Sequence, residues 1–471
     1  LGDVYKRQDL CGISGGSHFK SAQTDHFVWK EKRQMRKQAY RIVYETMEKN
    51  GHSNEVFHQI ILGEKNLAAR DKSFLKRLGY GTIERAVELD GYLDQVSRIP
   101  VRKMDGEVRT VLRMAMYEIL YMEQVPEAVS CHEAAELIRW AGKEGQVSFV
   151  NGVLRGYLRR QEQLDPGPKW RSLSLPKPLW DHFSQNYGKK TAGKIGSWFL
   201  ENKGEITLHL DPQKAEKEQW IKQLEDLGLT VLPGRYMKDA VRVKGIRDLS
   251  LLPGYREGIF FVQDESSMLP VTCSGIKPGD CVVDICSAPG GKAMHAWIQM
   301  EKKGCLSARD VKEGKVAKIR ENMKRMGYDA VQTKAWDATR EDKEFCLKAD
   351  VILADVPCSG LGIIGKKPEI KYRGLQLAEE LVPLQRKICE KSLTMLKPGG
   401  VFMYSTCTIN PSENQENVAW LTEHFDLETE SLNPYLPEKL QNKMTEQGML
   451  QMLPGVMESD GFFVARLRKR G

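Results

Sequence analysis

Apolar residues recur every three or four positions over residues 28–163, as in Ala39, Ile42, Val43, Thr46 and Met47, and again in Val111, Met114, Ala115, Glu118 and Ile119. That period marks one face of an α-helix, and proline is nearly absent there, with only Pro100 and Pro126. Breaks fall at Asn50-Gly51-His52-Ser53 and around Pro100. The pattern predicts an independent all-α bundle over 26–164. Residues 165–178 carry Pro166, Gly167, Pro168, Pro176 and Pro178 and have linker composition. Over 179–260, helical periods at 180–187, 191–201 and 214–227 mix with strand-like runs at 206–210, 240–243 and 259–262. A small α+β domain is expected there.

From 261 to 471 the rhythm changes. Apolar runs of strand length at 281–285, 305–309, 331–334, 350–354 and 401–405 alternate with helical stretches, notably 312–326 and 375–396. Such alternation predicts an α/β domain on a doubly wound parallel sheet. The tail Gly461-Phe462-Phe463-Val464-Ala465-Arg466-Leu467 alternates in strand fashion and is expected as an antiparallel edge strand. Open α/β sheets carry their chemistry beyond the carboxyl ends of the strands. One run ends Asp355-Val356-Pro357-Cys358 and another ends Ser405-Thr406-Cys407. Asp355, Cys358 and Cys407 are therefore expected at the lip of one cleft, where two cysteines point to thiol chemistry on a bound group.

Bulk numbers narrow this picture only slightly. The 471 residues, 41% hydrophobic, allow about three domains with sizeable cores. A net charge of +8 is compatible with nucleic acid without being diagnostic of it. The ten cysteines include no Cys-x-x-Cys pair and no zinc spacing, so no metal site is expected, and their lack of a disulfide framework fits a reducing cytoplasm. Cys131, Cys273, Cys281, Cys305, Cys346 and Cys389 are expected as small buried residues. No stretch has signal-peptide or membrane-spanning character. The chain begins without methionine, and residues 1–25 are not expected to be part of the fold. The first helix carries Lys30, Lys32, Arg33, Arg36, Lys37 and Arg41, either as a solvated face or as a phosphate-contacting surface.

The first strand of the α/β domain runs into Asp284-Ile285-Cys286-Ser287-Ala288-Pro289-Gly290-Gly291-Lys292, ahead of a helix. Paired glycines at a strand-to-helix turn let a ligand approach the backbone. The spacing matches neither the dinucleotide fingerprint nor a phosphate-gripping loop. Asp310 ends the second strand, placed for ribose hydroxyls, and Asp337 follows the third, placed for an adenine amine. A nucleoside with no phosphate to neutralise points to S-adenosyl-L-methionine.

Three stretches resemble the RNA cytosine-C5 methyltransferases: Asp-x-Cys-x-Ala-Pro-Gly-Gly-Lys at 284–292, Asp-x-Pro-Cys-Ser-Gly-x-Gly at 355–362, and Ser-Thr-Cys-Thr at 405–408. Val262-Gln263-Asp264-Glu265-Ser266-Ser267 is similar to that family's entry motif, and Asp460-Gly461-Phe462-Phe463 to its closing one. The helical region resembles a NusB-like RNA-binding domain through Leu120-Tyr121, Ala134 to Glu136, and Val150-Asn151-Gly152-Val153-Leu154-Arg155. The layout as a whole is similar to the Sun branch of the family, which acts on 16S ribosomal RNA. Ser287 stands where alanine is usual. Lys366-Lys367-Pro368-Glu369 stands where Arg-Arg-x-Pro-Asp is typical, and lysine lacks arginine's bidentate fork.

The resemblance implies a Rossmann-like class I methyltransferase domain that binds S-adenosyl-L-methionine through Cys286, Ser287, Ala288, Pro289, Gly290, Gly291, Lys292, Asp310, Asp337 and Asp355. It implies Cys407 as nucleophile, Cys358 as the thiol assisting release, and Asp355 on the cytosine edge. Pro-Cys at 357–358 competes, because DNA cytosine methyltransferases attack from such a cysteine. The target base must leave its stack. Lys366, Lys367, Lys371 and Arg373 are candidates for RNA contact, or else a solvated loop. The implied partner is 16S ribosomal RNA and the implied state a monomer. The alternatives are another RNA such as transfer RNA, a non-catalytic RNA-binding protein, and a nicotinamide-dependent dehydrogenase. The last leaves both cysteines unexplained.

Overall fold

The computed structural model describes residues 18–63, 67–201, 204–246 and 248–471. Residues 1–17, most of the segment not expected to fold, lie outside the described residues together with Cys11. The described residues begin inside that segment, and residues 18–25 belong to a helix that runs His18–Met47. The chain forms two compact units, the first ending at Gly167 and the second running Pro168–Gly471.

The first unit is helical throughout its long elements: α1 (His18–Met47), α2 (Ser53–Gly63), α3 (Ala69–Val96), α4 (Gly106–Tyr121), α5 (Glu127–Trp140) and α6 (Val147–Leu158). The apolar period is its buried seam, for Ala39, Ile42, Val43, Val111, Met114 and Ala115 are all enclosed. Helices α3 and α4 cross closely at Gly81, where a Cβ would fall 2.1 Å from the Tyr117 ring. Glu118 continues the seam because Arg36 Nε donates to its Oε1 at 2.8 Å. Burial holds the Glu118 carboxyl above its ordinary range, against the pull of Arg36. Arg33 pairs with Glu133 at 3.0 Å and Glu136 at 3.4 Å, and Lys37 lies 5.2 Å over the Trp140 ring. Arg33 and Arg36 thus tie α1 to α4 and α5. The side chain of Lys30 lies outside the described residues.

The second unit opens with α7 (Lys169–Ser172), α8 (Lys177–Tyr187) and α9 (Lys189–Glu201). The expected linker is therefore largely structured. Leu173 and Leu175 are buried with Leu179, Phe183, Ile195 and Phe199. Pro178 falls in the first turn of α8, where a missing N–H breaks no helical hydrogen bond. The same core takes in Leu361, Ile364 and Ile409, so these helices are seated on loops of the large sheet and do not form a separate domain with the small sheet. That small sheet is built from β1 (Glu205–Leu210), α10 (Lys217–Asp226), β2 (Thr230–Pro233), β3 (Ala240–Lys244) and β4 (Phe260–Val262). Its strands are antiparallel in the order β2-β3-β1-β4, closed by Trp220 and Leu224 of α10. Strand β2 escapes the sequence pattern because none of its four residues is buried.

After α11 (Glu265–Thr272) comes the large sheet: β5 (Cys281–Asp284), β6 (Cys305–Asp310), β7 (Gln332–Ala335), β8 (Ala349–Asp355), β9 (Leu396–Thr406), β10 (Leu427–Thr429), β11 (Met449–Met452) and β12 (Phe462–Lys469). Its path is β10-β12-β9-β8-β5-β6-β7, with β11 also paired to β12. Strands β5 to β9 are parallel, with α12 (Gly291–Gln299), α13 (Glu313–Arg325), α14 (Gly374–Leu393) and α15 (Gln415–His424) between or after them. The tail strand β12 is antiparallel to β9, as expected, but it is not an edge, because β10 and β11 lie beyond it. The sheet is thus mixed. Strand order reverses between β5 and β8, which opens a crevice at their carboxyl ends. The pairing Asp284↔Leu353 and Asp355↔Ser405 brings the chemistry-bearing residues to that one end.

Candidate active site

The cofactor half grows from the end of β5. Residues 285–290 turn sharply: Ser287 N donates to Arg309 O at 2.7 Å, and Gly290 N to Ser287 O at 2.6 Å. Gly290 takes φ +106, a conformation open to glycine, and α12 starts immediately after it. Asp310 is nearly buried at the end of β6. It accepts from Ala288 N at 3.3 Å and pairs with Lys315 at 3.3 Å. Asp337 is more open, and its Oδ1 accepts from Thr339 N at 2.9 Å and Oγ1 at 2.7 Å. Those two bonds hold its carboxyl below the usual range.

Sequence reasoning singled out the loop but assigned no role to Asp284, which stands at its base. Asp284 is fully buried, and neither carboxylate oxygen makes a well-formed hydrogen bond. The Ser287 hydroxyl and the Cys286 N–H lie beside it and only partly offset that burial. Burial pushes the Asp284 carboxyl up to about 7. Unsatisfied buried oxygens of this kind call for a missing donor. An ammonium group is the natural one. The sequence shows Asp284 at the head of the loop, but an acid closing an apolar run gives no sign of how deeply it is buried.

The thiol half grows from β8 and β9. Cys358 Sγ and Cys407 Sγ lie 3.2 Å apart. Asp355 stands beside them, with Oδ2 accepting from Lys292 Nζ at 2.6 Å and Oδ1 from Ser405 Oγ at 2.9 Å. Lys292 Nζ also donates to Ser267 Oγ at 2.9 Å, which brings the entry motif to the site. Burial alone lowers the Lys292 ammonium, but Asp355 outweighs it, and with Asp284 and Cys407 also acting the group stays above its ordinary range. The Cys358 thiol is pushed well above its ordinary range by its hydrogen bond with Cys407, by burial, and by the charges of Glu413 and Asp355. Burial and the neighbouring acids likewise raise Cys286. The closing motif meets the thiol loops through backbone: Gly362 N donates to Cys407 O at 3.1 Å, and Gly461 N to Gly362 O at 2.9 Å. A Cβ on Gly362 would fall 2.2 Å from Gly461 O.

Two expected RNA-contacting lysines are engaged within the protein, one exposed and one buried. Lys366 bridges Asp264 and Asp460, the latter at 2.7 Å, and so ties the entry motif to the closing one. Lys371 is buried and donates to Ser174 O at 2.7 Å. A lysine run in sequence gives no sign of acids that reach it from 100 residues away. Among the other cysteines, Cys273 and Cys389 are buried as expected, whereas Cys131, Cys281 and Cys305 are only half-buried and Cys346 is exposed. Among the described residues no helix is long and apolar enough to cross a membrane, and no group of His, Cys, Asp and Glu could hold a metal ion.

A family model described as 16S rRNA methyltransferase RsmB/F matches residues 272–468, and a NusB family model matches 33–159. A probable ribosomal RNA small subunit methyltransferase B from Bacillus subtilis is 32% identical over 440 residues, covering 90% of this chain and 96% of the relative. The chain belongs to that family. A relative described in the same words from Synechocystis is 30% identical over 413 residues, covering 86% of this chain and 92% of its own length. The fold is similar to the crystal structure of PH0851, with a TM-score of 0.76 at 23% identity, covering 92% of this chain and 99% of that one. The NusB match falls within the first unit and the RsmB/F match within the second. Helices α7 to α10 and the four-stranded sheet lie between the two matches. This member of the methyltransferase B family therefore seats its thiol loops on helices that neither model describes.

Proposed function

We propose that this chain transfers a methyl group from S-adenosyl-L-methionine to carbon 5 of a cytosine in 16S ribosomal RNA. The observation that carries the reading is the pair of thiols, Cys358 and Cys407, 3.2 Å apart beside Asp355 at the ends of neighbouring strands. Family membership supports a ribosomal RNA substrate. The cofactor loop fits its ligand by chemistry: the orphaned oxygens of Asp284 suit an ammonium, and Asp310 suits a ribose. Cys286, Ser287, Ala288, Pro289, Gly290, Gly291 and Lys292 would hold the cofactor together with Asp310, Asp337 and Asp355. When bound, it supplies an electrophilic methyl group.

Carbon 5 of cytosine is a poor nucleophile. The Cys407 thiolate bonds to carbon 6, and the displaced C5–C6 pair makes carbon 5 enamine-like while N3 takes up a proton. Asp355 orients that edge of the base. As carbon 5 gains its methyl group, N3 returns its proton. A base then takes the proton from carbon 5, the C5–C6 double bond re-forms, and the C6–S bond breaks to return the thiolate to Cys407. Cys358, in contact with the departing sulfur, assists this release.

A route for RNA lies on the helices that carry the thiol loops. A groove of about 990 Å³ is lined by Lys169, Trp180, Lys189, Lys190, Lys194 and Trp198. Exposed lysines interleaved with aromatic rings suit a single-stranded backbone and its bases.

The test pairs purified protein with 16S RNA, the methyl donor, and the variants Cys407→Ala and Cys358→Ala. Methyl transfer and adducts that survive denaturation are scored. Loss of transfer in Cys407→Ala with adduct accumulating in Cys358→Ala is expected. The opposite pattern would swap the two roles. Methylation of transfer RNA instead of 16S RNA would keep the chemistry and overturn the substrate.

A further inference from the structure

Behind the two thiols sits a carboxylate with no part in the methyl-transfer steps. Glu413 is fully buried in the turn that comes after Cys407. Its Oε1 accepts from Ser359 N at 2.8 Å and from Gln385 Nε2 at 3.0 Å. Its Oε2 accepts from Ser359 Oγ and from Asn410 Nδ2 at 3.2 Å. Ser359 is next to Cys358, and Asn410 is three residues past Cys407. Gln385 extends the same tie to Pro357 O at 2.9 Å, and Ser359 Oγ meets Thr408 Oγ1 at 2.8 Å. One side chain therefore holds both thiol-bearing loops. Its own backbone is anchored as well, since Tyr404 Oη donates to Glu413 O at 2.6 Å.

The partners of this carboxylate are neutral donors, and no cation pairs with it among the described residues. The titratable groups facing it are Cys358 on its loop, Tyr404 on β9 and His182 on α8, and burial keeps His182 below its ordinary range. Glu413 is bonded to the residue that follows Cys358, and the ammonium of Lys292 reaches the thiol site through Asp355. A buried anion therefore stands on the Cys358 loop, and the buried cation of Lys292 is paired with Asp355. Charges in a low-dielectric interior act strongly on a neighbour's ionisation.

We propose that Glu413 is a positioning residue that locks the Cys358 and Cys407 loops in one register and, through its charge, keeps Cys358 protonated so that Cys407 carries the thiolate. This rests on the thiol-addition reading of the active site and deepens it: the two cysteines, equivalent in sequence, are made unequal by the field in which they sit. The anion behind Cys358 disfavours a thiolate on that sulfur.

The test uses the full chain with Glu413→Gln, which is isosteric but uncharged, and Glu413→Asp, which keeps the charge at shorter reach. Two quantities are read. The first is kcat and KM for RNA together with affinity for the methyl donor. The second, which needs no RNA, is the ratio of Cys407 to Cys358 alkylation by iodoacetamide, mapped by mass spectrometry. In Glu413→Gln, kcat is expected to fall by on the order of 100-fold, as for a catalytic group displaced by about 1 Å, with KM and donor affinity within about threefold. The alkylation ratio shifts toward Cys358. Glu413→Asp also loses kcat but keeps the wild-type ratio, which a general loosening of the fold would not do. An unchanged ratio in Glu413→Gln, or an unchanged kcat, overturns the proposal. A wild-type protein that methylates no RNA overturns the functional reading, while the alkylation ratio still decides the role of Glu413.

Discussion

Asp284 is the residue whose chemistry depends most on what the cleft holds. It is buried, it has no good hydrogen-bond partner, and its folded carboxyl titrates at about 7 against an ordinary value of 3.8. The unfolded chain releases this proton near pH 4 and the ligand-free folded chain only near pH 7. Between those values the folded state binds more protons. The stability attributable to Asp284 is therefore full below about pH 4 and declines as pH rises to about 7, by about 4 kcal/mol in all. Replacing Asp284 by Asn removes this decline. In thermal melts of the ligand-free protein, Asp284→Asn should gain on the wild type steadily from pH 4 to pH 8 and should bind the methyl donor more weakly. Parallel pH curves for the two proteins would mean that Asp284 does not titrate in this range. The contrast with Asp355 is physical. Both acids end apolar strands, but Asp355 has Lys292 at 2.6 Å and Ser405 at 2.9 Å, and Asp284 has neither. Sequence pattern located the loop and both cysteines, because strand ends and paired glycines leave a local signature. It could not separate the two acids or reveal Glu413, because those distinctions come from partners far away in the chain.

At the scale of elements, the buried parallel strands were readable from sequence because burial on both faces leaves nearly continuous apolar runs, as in Val351, Ile352, Leu353 and Ala354. The same logic explains the misreadings. Strand β2 buries nothing. The proline-rich stretch before α8 looks like a linker, yet prolines suit helix starts, and its leucines at 173 and 175 fill a core. That core makes α8 and α9 the platform for the thiol-bearing loops: Phe183 shares it with Leu361 and Ile409, and the Tyr187 hydroxyl donates to Ile409 O. Truncating Phe183 to Ala removes a fully buried ring and should cost about 3–5 kcal/mol. The gap opens in the core that holds Ile409, two residues from Cys407. Phe183→Ala should therefore lose methyl transfer at temperatures well below its own melting midpoint, while the wild type stays active up to its midpoint. An activity loss that coincides with global melting in both proteins would show that α8 supports the fold without supporting the loops.

At the scale of the molecule, a net charge of +8 says less than where unpaired cations lie. Arg33, Arg36, Lys366 and Lys371 look like RNA contacts in a one-dimensional reading, yet all four are engaged within the protein. Lys169, Lys189, Lys190 and Lys194, which sequence analysis did not single out, are exposed and line a groove with Trp180 and Trp198. A lysine already paired with a carboxylate releases no counterion when it meets a phosphate. An unpaired one does, so the salt dependence of RNA binding reports which cations are free. Each phosphate neutralised on a single strand contributes about 0.7 to the slope of log K against log salt. The combined change Lys189→Glu, Lys190→Glu and Lys194→Glu should therefore reduce that slope by about 2 and raise KM for RNA, with kcat at saturation and affinity for the methyl donor unchanged. Trp180→Ala should weaken binding without altering the slope, because stacking moves no counterions. A slope unchanged by the triple charge reversal would place the RNA backbone on another surface and leave the proposed thiol chemistry untouched.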